Sequence, residues 1–187
     1  DMAGIYPTMD DNHPFSTLWS FHLDHAGEQW CVAGRFATVP LGECTVGLEQ
    51  LNLDPKETYH AFDFWQERYL GTVTGEIACR ELGLGCCQII GLRKVQEVPQ
   101  FIASTRHVSM DAVSVKAIGW NGKELSVSLA GAAGMEVSYY FAVPDGYTLK
   151  EAVVSGGKCV ETELEKDGIL RVRAAFEGEG AELRLQF

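Results

Sequence analysis

Apolar and polar residues alternate in short runs along this chain, and few of the runs exceed eight residues. In Leu170-Arg171-Val172-Arg173-Ala174 and in Leu183-Arg184-Leu185-Gln186-Phe187 every second side chain is apolar. A period of two places such residues on one face of a strand and leaves the other face wet. The same reading predicts strands over 17–23 and 29–36, separated by the hairpin turn Asp24-His25-Ala26-Gly27, and further strands over 43–48, 58–65, 69–74 and 86–92. In the second half it predicts strands over 113–120, 124–129, 136–143, 148–154, 159–165, 169–176 and 181–187. Asn121-Gly122 is the strongest short-range signal for a two-residue type I′ hairpin turn. Pro144-Asp145-Gly146, Ser155-Gly156-Gly157, Asp167-Gly168 and 177–180 mark the other turns. No stretch keeps a helical period over three turns, and 41–53 is the best place for a single helical turn.

Many short strands with Gly and Pro turns predict an all-β protein, an antiparallel β-sandwich of Greek-key type. Residues 1–16 read as a linker or N-terminal extension, and 17–187 as a single domain with a soft division near Met110-Asp111-Ala112. The opening Asp1-Met2-Ala3-Gly4 has neither the basic nor the apolar region of a signal peptide, and reads as the interior of a longer protein.

Charge narrows the partners. The formal net charge is −11 over 187 residues, with no basic stripe. Nucleic acid and anionic membranes, which attract clustered Lys and Arg, are therefore not expected partners. The six cysteines form no CxxC pair and no zinc-ligand spacing, so they read as buried small hydrophobes. Their usage and the absence of a signal-peptide pattern favour the cytoplasm.

Candidate chemistry is sparse. Asp10, Asp11 and His13, or His22, Asp24 and His25, lack the convergent third or fourth ligand that a metal needs, and no cofactor is expected. Leu82-Gly83-Leu84-Gly85 lacks the Lys of a phosphate loop, and no GxSxG elbow is present. Asp63 with Glu67 could supply the two carboxyls of a glycosidase, and His107 a base. The simpler reading has Asp63 bonded to backbone or paired with Arg68 or Arg106. Trp19, Trp30, Trp65 and Trp120, with Tyr59, Tyr69, Tyr139 and Tyr140, suit either a core or a sugar-stacking platform. Tyr139 and Tyr140 must point to opposite faces of a strand, so one of them is expected to be exposed or covered by another domain.

An ordered set of motifs adds a family. Tyr59-His60-Ala61-Phe62-Asp63-Phe64-Trp65 resembles a "YxxFDFW" strand, and Arg68-Tyr69-Leu70-Gly71 the "YLG" that follows it. Gly85-Cys86-Cys87-Gln88-Ile89-Ile90-Gly91-Leu92-Arg93 resembles the strand after an "HGC" segment, with Leu84 where a His is expected. Pro99-Gln100 through Ser104-Thr105-Arg106-His107 resembles a "PQ…STSRH" segment, and 120–143 the closing hairpins. Together they resemble the C-terminal β domain of α-galactosidase-like glycoside hydrolases, families 27 and 36. The resemblance implies a non-catalytic accessory domain that packs against and stabilises an upstream (β/α)8 barrel. The two catalytic Asp residues of that clan sit on the barrel, and no position here matches either. Phe64, Trp65, Tyr69, Arg106, His107 and Tyr139 are the candidates for contact with the barrel or with carbohydrate. The alternative is a stand-alone, lectin-like carbohydrate-binding module.

Overall fold

A computed structural model describes residues 3–8, 16–165 and 167–187, the first six by their backbone. The chain is an all-β antiparallel sandwich protein whose one helical element among the described residues is a single 3-10 turn at Leu48–Leu51. That turn lies inside the stretch singled out for one. The strands form two compact units that divide between Val95 and Gln96, upstream of the break expected near 110. Residues 25–28 group with the second unit.

The first unit is built on a six-stranded sheet in the order β1-β2-β3-β8-β5-β6. Its members are β1 (Ala3–Thr8), β2 (Leu18–His25), β3 (Glu28–Phe36), β5 (Thr58–Asp63), β6 (Arg68–Thr74) and β8 (Cys87–Lys94). Thus part of the expected N-terminal linker is a strand, paired with β2 from Ala3↔His22 to Thr8↔Leu18. A separate ribbon, β4 (Cys44–Gly47) with β7 (Glu76–Cys79), and the 3-10 turn complete the core. Cys31, Ala33, Ala61, Ile90 and Leu92 from the sheet pack with Val46, Leu48, Leu51 and Ile77. β7, four residues long, was not among the predicted strands.

The second unit is a sandwich of two four-stranded sheets, β10-β11-β16-β13 and β14-β15-β12-β9. The first holds β10 (Val115–Trp120), β11 (Glu124–Ala130), β13 (Glu151–Ser155) and β16 (Gly180–Gln186). The other holds β9 (Gln100–Ser104), β12 (Glu136–Ala142), β14 (Gly157–Leu164) and β15 (Ile169–Phe176). Leu170, Val172, Ala174 and Phe176 alternate inward to meet Leu125, Val127, Leu183 and Leu185 from the facing sheet. Burying that face drives the fold, because each large apolar side chain removed from water contributes roughly 1.5–3 kcal/mol.

Turn chemistry holds with one correction. At the β2–β3 hairpin Ala26 and Gly27 both take left-handed φ, 55° and 80°, the requirement of a type I′ turn. At the β10–β11 hairpin only Gly122 does so, with φ 91°. Asn121 and Glu124 close that turn through a backbone bond of 3.2 Å, so its central residues are Gly122-Lys123 in the pattern of type II′. Asn121 Oδ1 accepts the amides of Lys123 and Glu124, which fixes Asn121 as the turn's first residue.

Candidate functional site

The Tyr59–Gly71 motif folds as the β5–β6 hairpin, with Phe64 through Glu67 as its turn. Along β5, Tyr59, Ala61 and Asp63 share one sheet face, and His60 and Phe62 share the other. Asp63 therefore enters the first unit beside Ile90, its cross-strand partner, and is 0% exposed. Its carboxylate accepts from Gln88 Nε2 at 2.9 Å and from the Gln66 amide at 3.2 Å. Arg80 Nε lies 3.7 Å away. The ion partner is thus Arg80; neither Arg68, opposite Asp63 across the hairpin, nor Arg106 fills that role.

Arg80 also donates to the Cys87 carbonyl, and its amide donates to Gln88 Oε1. Arg35, buried on β3, donates to the carbonyls of Arg80 and Gly42, both at 2.6 Å. Gln88, the Gln66 amide and Arg80 thus occupy the Asp63 carboxylate, whose lone pairs serve the fold, while Arg35 holds the Arg80 backbone. Glu67 is exposed in the turn with φ 47°, so it is a turn residue next to a carboxylate that is sealed from substrate.

The aromatic candidates separate by exposure. Trp65 is 56% exposed, set edge-on to buried Phe64 with ring centroids 5.1 Å apart. Trp65 is the only exposed tryptophan of the four. Trp30 is buried with the Arg93 guanidinium 4.0 Å above its ring, so its face is already stacked. Tyr69 is half-buried and its hydroxyl bonds His60 Nδ1 at 2.8 Å. Burial holds the His60 imidazole down at about 4, so it is neutral at neutral pH. Tyr139 is 0% exposed, in the core of the second unit, and burial holds its phenol above the ordinary value. It offers no surface to a sugar or a neighbouring domain, and Tyr140 is buried as well.

Arg106 and His107 begin a loop organised by a residue that sequence reading passed over. Asp111, fully buried, accepts from Ser104 Oγ at 2.7 Å and from the Ser114 amide and hydroxyl. Met110 and Asp111 both adopt left-handed φ, 54° and 71°. Arg106 Nη1 donates to the Ala130 carbonyl, and exposed His107 bonds Ser109 Oγ at 2.8 Å. The signal was present: Asp tolerates the left-handed region, and a Ser seven residues before and another three after supply its donors.

No cluster of three His, Cys, Asp or Glu side chains assembles among the described residues. His22 Nε2 bonds the Leu51 carbonyl at 2.7 Å and Asp24 accepts from Gln29, while His25 bonds a backbone carbonyl. Asp10, Asp11 and His13 lie outside the described residues. Besides an apolar concavity at Trp19, Phe21, Val32 and Phe36, two with charged residues in their lining open on the first unit. One, of about 430 Å³, is lined by His22, Asp24, Gln29, Asp54, Tyr59 and Lys94, where Lys94 is paired with Glu57 at 2.8 Å. The other, of about 460 Å³, lies beside the Asp63 network and includes Cys44, Arg68, Cys79 and Arg80. No family model and no curated protein matches this chain.

Proposed function

We propose that this chain is the non-catalytic β region of a larger α-galactosidase-like glycoside hydrolase, where it packs against and stabilises the catalytic (β/α)8 barrel. The observation that carries the reading is the state of Asp63. It is the one carboxylate inside the "FDFW" motif, and it is buried and hydrogen-bonded to Gln88 and Gln66. A glycosidase carboxylate must reach a glycosidic oxygen or an anomeric carbon, with a second carboxylate about 5–9.5 Å away. Asp63 has its bonds spent on the fold, and its neighbour Glu67 faces solvent. The motif therefore builds a rigid hairpin that presents Trp65, and an exposed Trp is the residue type most often found at the centre of a docking surface.

A lectin-like reading has less support. Sugar stacking needs an open aromatic face, and of the tryptophans only Trp65 is well exposed. Two measurements separate the readings. The chain alone should show no turnover of p-nitrophenyl α-galactoside, and turnover abolished by Asp63→Asn would overturn the proposal. Co-expressed with the barrel encoded in the same reading frame, it should form a complex that Trp65→Ala weakens. A reading frame without a barrel, or millimolar-range galactoside binding lost in Trp65→Ala, would favour the module instead.

A further inference from the structure

Cys44 and Cys79 face each other across the β4–β7 ribbon as Cα partners. Directly opposed residues on antiparallel strands stand about 4.5 or 5.5 Å apart at Cα. Both spacings fall inside the roughly 4.4–6.8 Å that a disulfide spans. The side chains share the ribbon face that carries Val46 and Ile77, and Cys44 is close enough to help raise the Cys79 thiol. All six cysteines are free.

Their environments differ in a useful way. Cys79 is 6% exposed, and burial, with Cys44 beside it, pushes its thiol up to about 11. Cys44 is exposed at the mouth of the 460 Å³ concavity, near Arg68 and Arg80. Arg35 ties the two strands together at the cysteine end of the ribbon, donating to the carbonyl just after Cys79 and to the one two residues before Cys44. The Leu41↔Leu82 bridge extends the pairing past the cysteines. The two sulfurs are thus presented to each other by a clamped backbone, so little chain entropy opposes their union.

We propose that Cys44 and Cys79 are a reversible thiol–disulfide pair that latches the β4–β7 ribbon, with a small-molecule disulfide as its oxidant. Only Cys44 is accessible, so its thiolate attacks one sulfur of the R–S–S–R molecule. That S–S bond breaks, a Cys44–S–S–R bond forms, and RS⁻ leaves and takes up the proton Cys44 gave to water. The Cys79 sulfur then attacks Cys44 Sγ, the second RS⁻ departs, and the Cys79 proton passes to it. Two protein thiols are oxidised and one small disulfide is reduced to two thiols. The closed bond spans the 3-10 turn and the whole β5–β6 hairpin, so it constrains the segment that carries Trp65. This latch does not rest on the glycosidase reading.

The test treats the full chain with oxidised glutathione, alkylates free thiols and maps the peptides by mass spectrometry. The expected product is a Cys44–Cys79 cross-link that dithiothreitol reverses, together with a Tm higher for the oxidised than for the reduced protein. Cys44→Ser should abolish both the cross-link and any adduct at this site. Cys79→Ala should stop at a glutathione adduct on Cys44. Should Cys79→Ala fold poorly, the map of the unsubstituted chain decides the question by itself. A persistent adduct on Cys44 without a cross-link, or no reaction at either residue, would overturn the proposal.

Discussion

Replacing Asp63 by Ala tests whether its carboxylate belongs to the fold. The side chain is fully buried, and its removal deprives two donors. The Gln88 amide is buried, and leaving a buried donor unsatisfied costs about 1–3 kcal/mol, more toward the upper end when the lost acceptor was charged. The Gln66 amide lies in the exposed part of the turn, where water can replace the carboxylate, so this loss adds about 0.5–1 kcal/mol. Arg80 sits 3.7 Å from Asp63 and its side chain is 35% exposed, so solvent screens the pair and its share stays below about 1 kcal/mol. The sum is roughly 3–4 kcal/mol, in line with about 3–5 kcal/mol for removing one partner of a buried pair. Asp63→Asn keeps one acceptor for the turn, and a loss of about 1–2 kcal/mol is expected. Urea denaturation followed by tryptophan fluorescence measures both, with a shifted midpoint and an unchanged slope. In the larger hydrolase we propose, activity per folded molecule should stay at the wild-type level. A variant as stable as wild type but with turnover lost would refute the reasoning and return Asp63 to the chemistry.

Three further outcomes follow from the same physics. His60, held near 4 by burial against an ordinary value of 6.5, is protonated in the unfolded chain before the folded one. Its stabilising contribution is full above pH 6.5 and is lost on acidification toward pH 4; at pH 5 the loss is about 2 kcal/mol, which His60→Phe should remove from the difference between melts at pH 7 and pH 5. Gly131→Ala places a methyl group into the ring of buried Phe176, and thermal melts should show about 1–3 kcal/mol of destabilisation from overpacking. The Tyr139 hydroxyl is buried without a partner among the described residues, so Tyr139→Phe should raise stability by about 1 kcal/mol in the same assay, and a loss would reveal a hidden bond.

The strand content of this chain was legible because it is a local property. A period of two, as in Leu170 through Ala174, reports which side chains share a face, and the Gly-containing turns report where the chain reverses. Alternation also indicated strands over 58–65 and 69–74, but the structure ends the first at Asp63 and places Phe64 and Trp65 in the turn between them. Shorter signals failed where one residue mattered: Asn121-Gly122 indicated a turn but not its centre, which the Asn121 side chain moved by one position.

What lies opposite a face is a different kind of information. Alternation placed Asp63 away from Phe62 and Phe64, yet its partners Gln88, brought beside it by the pairing of β5 with β8, and Arg80, just after β7, lie far along the chain. The same holds for Asp111 with Ser104, and for Tyr139, whose strand neighbours do not reveal that a second sheet covers it. Cys44 and Cys79 carry no spacing signal, because cross-strand register depends on how the intervening residues fold back. By itself the sequence determined an antiparallel β protein with a recognisable hairpin. The tertiary structure decided which carboxylates are buried, which tryptophan meets solvent and which thiols meet each other, because those contacts are made between residues distant along the chain.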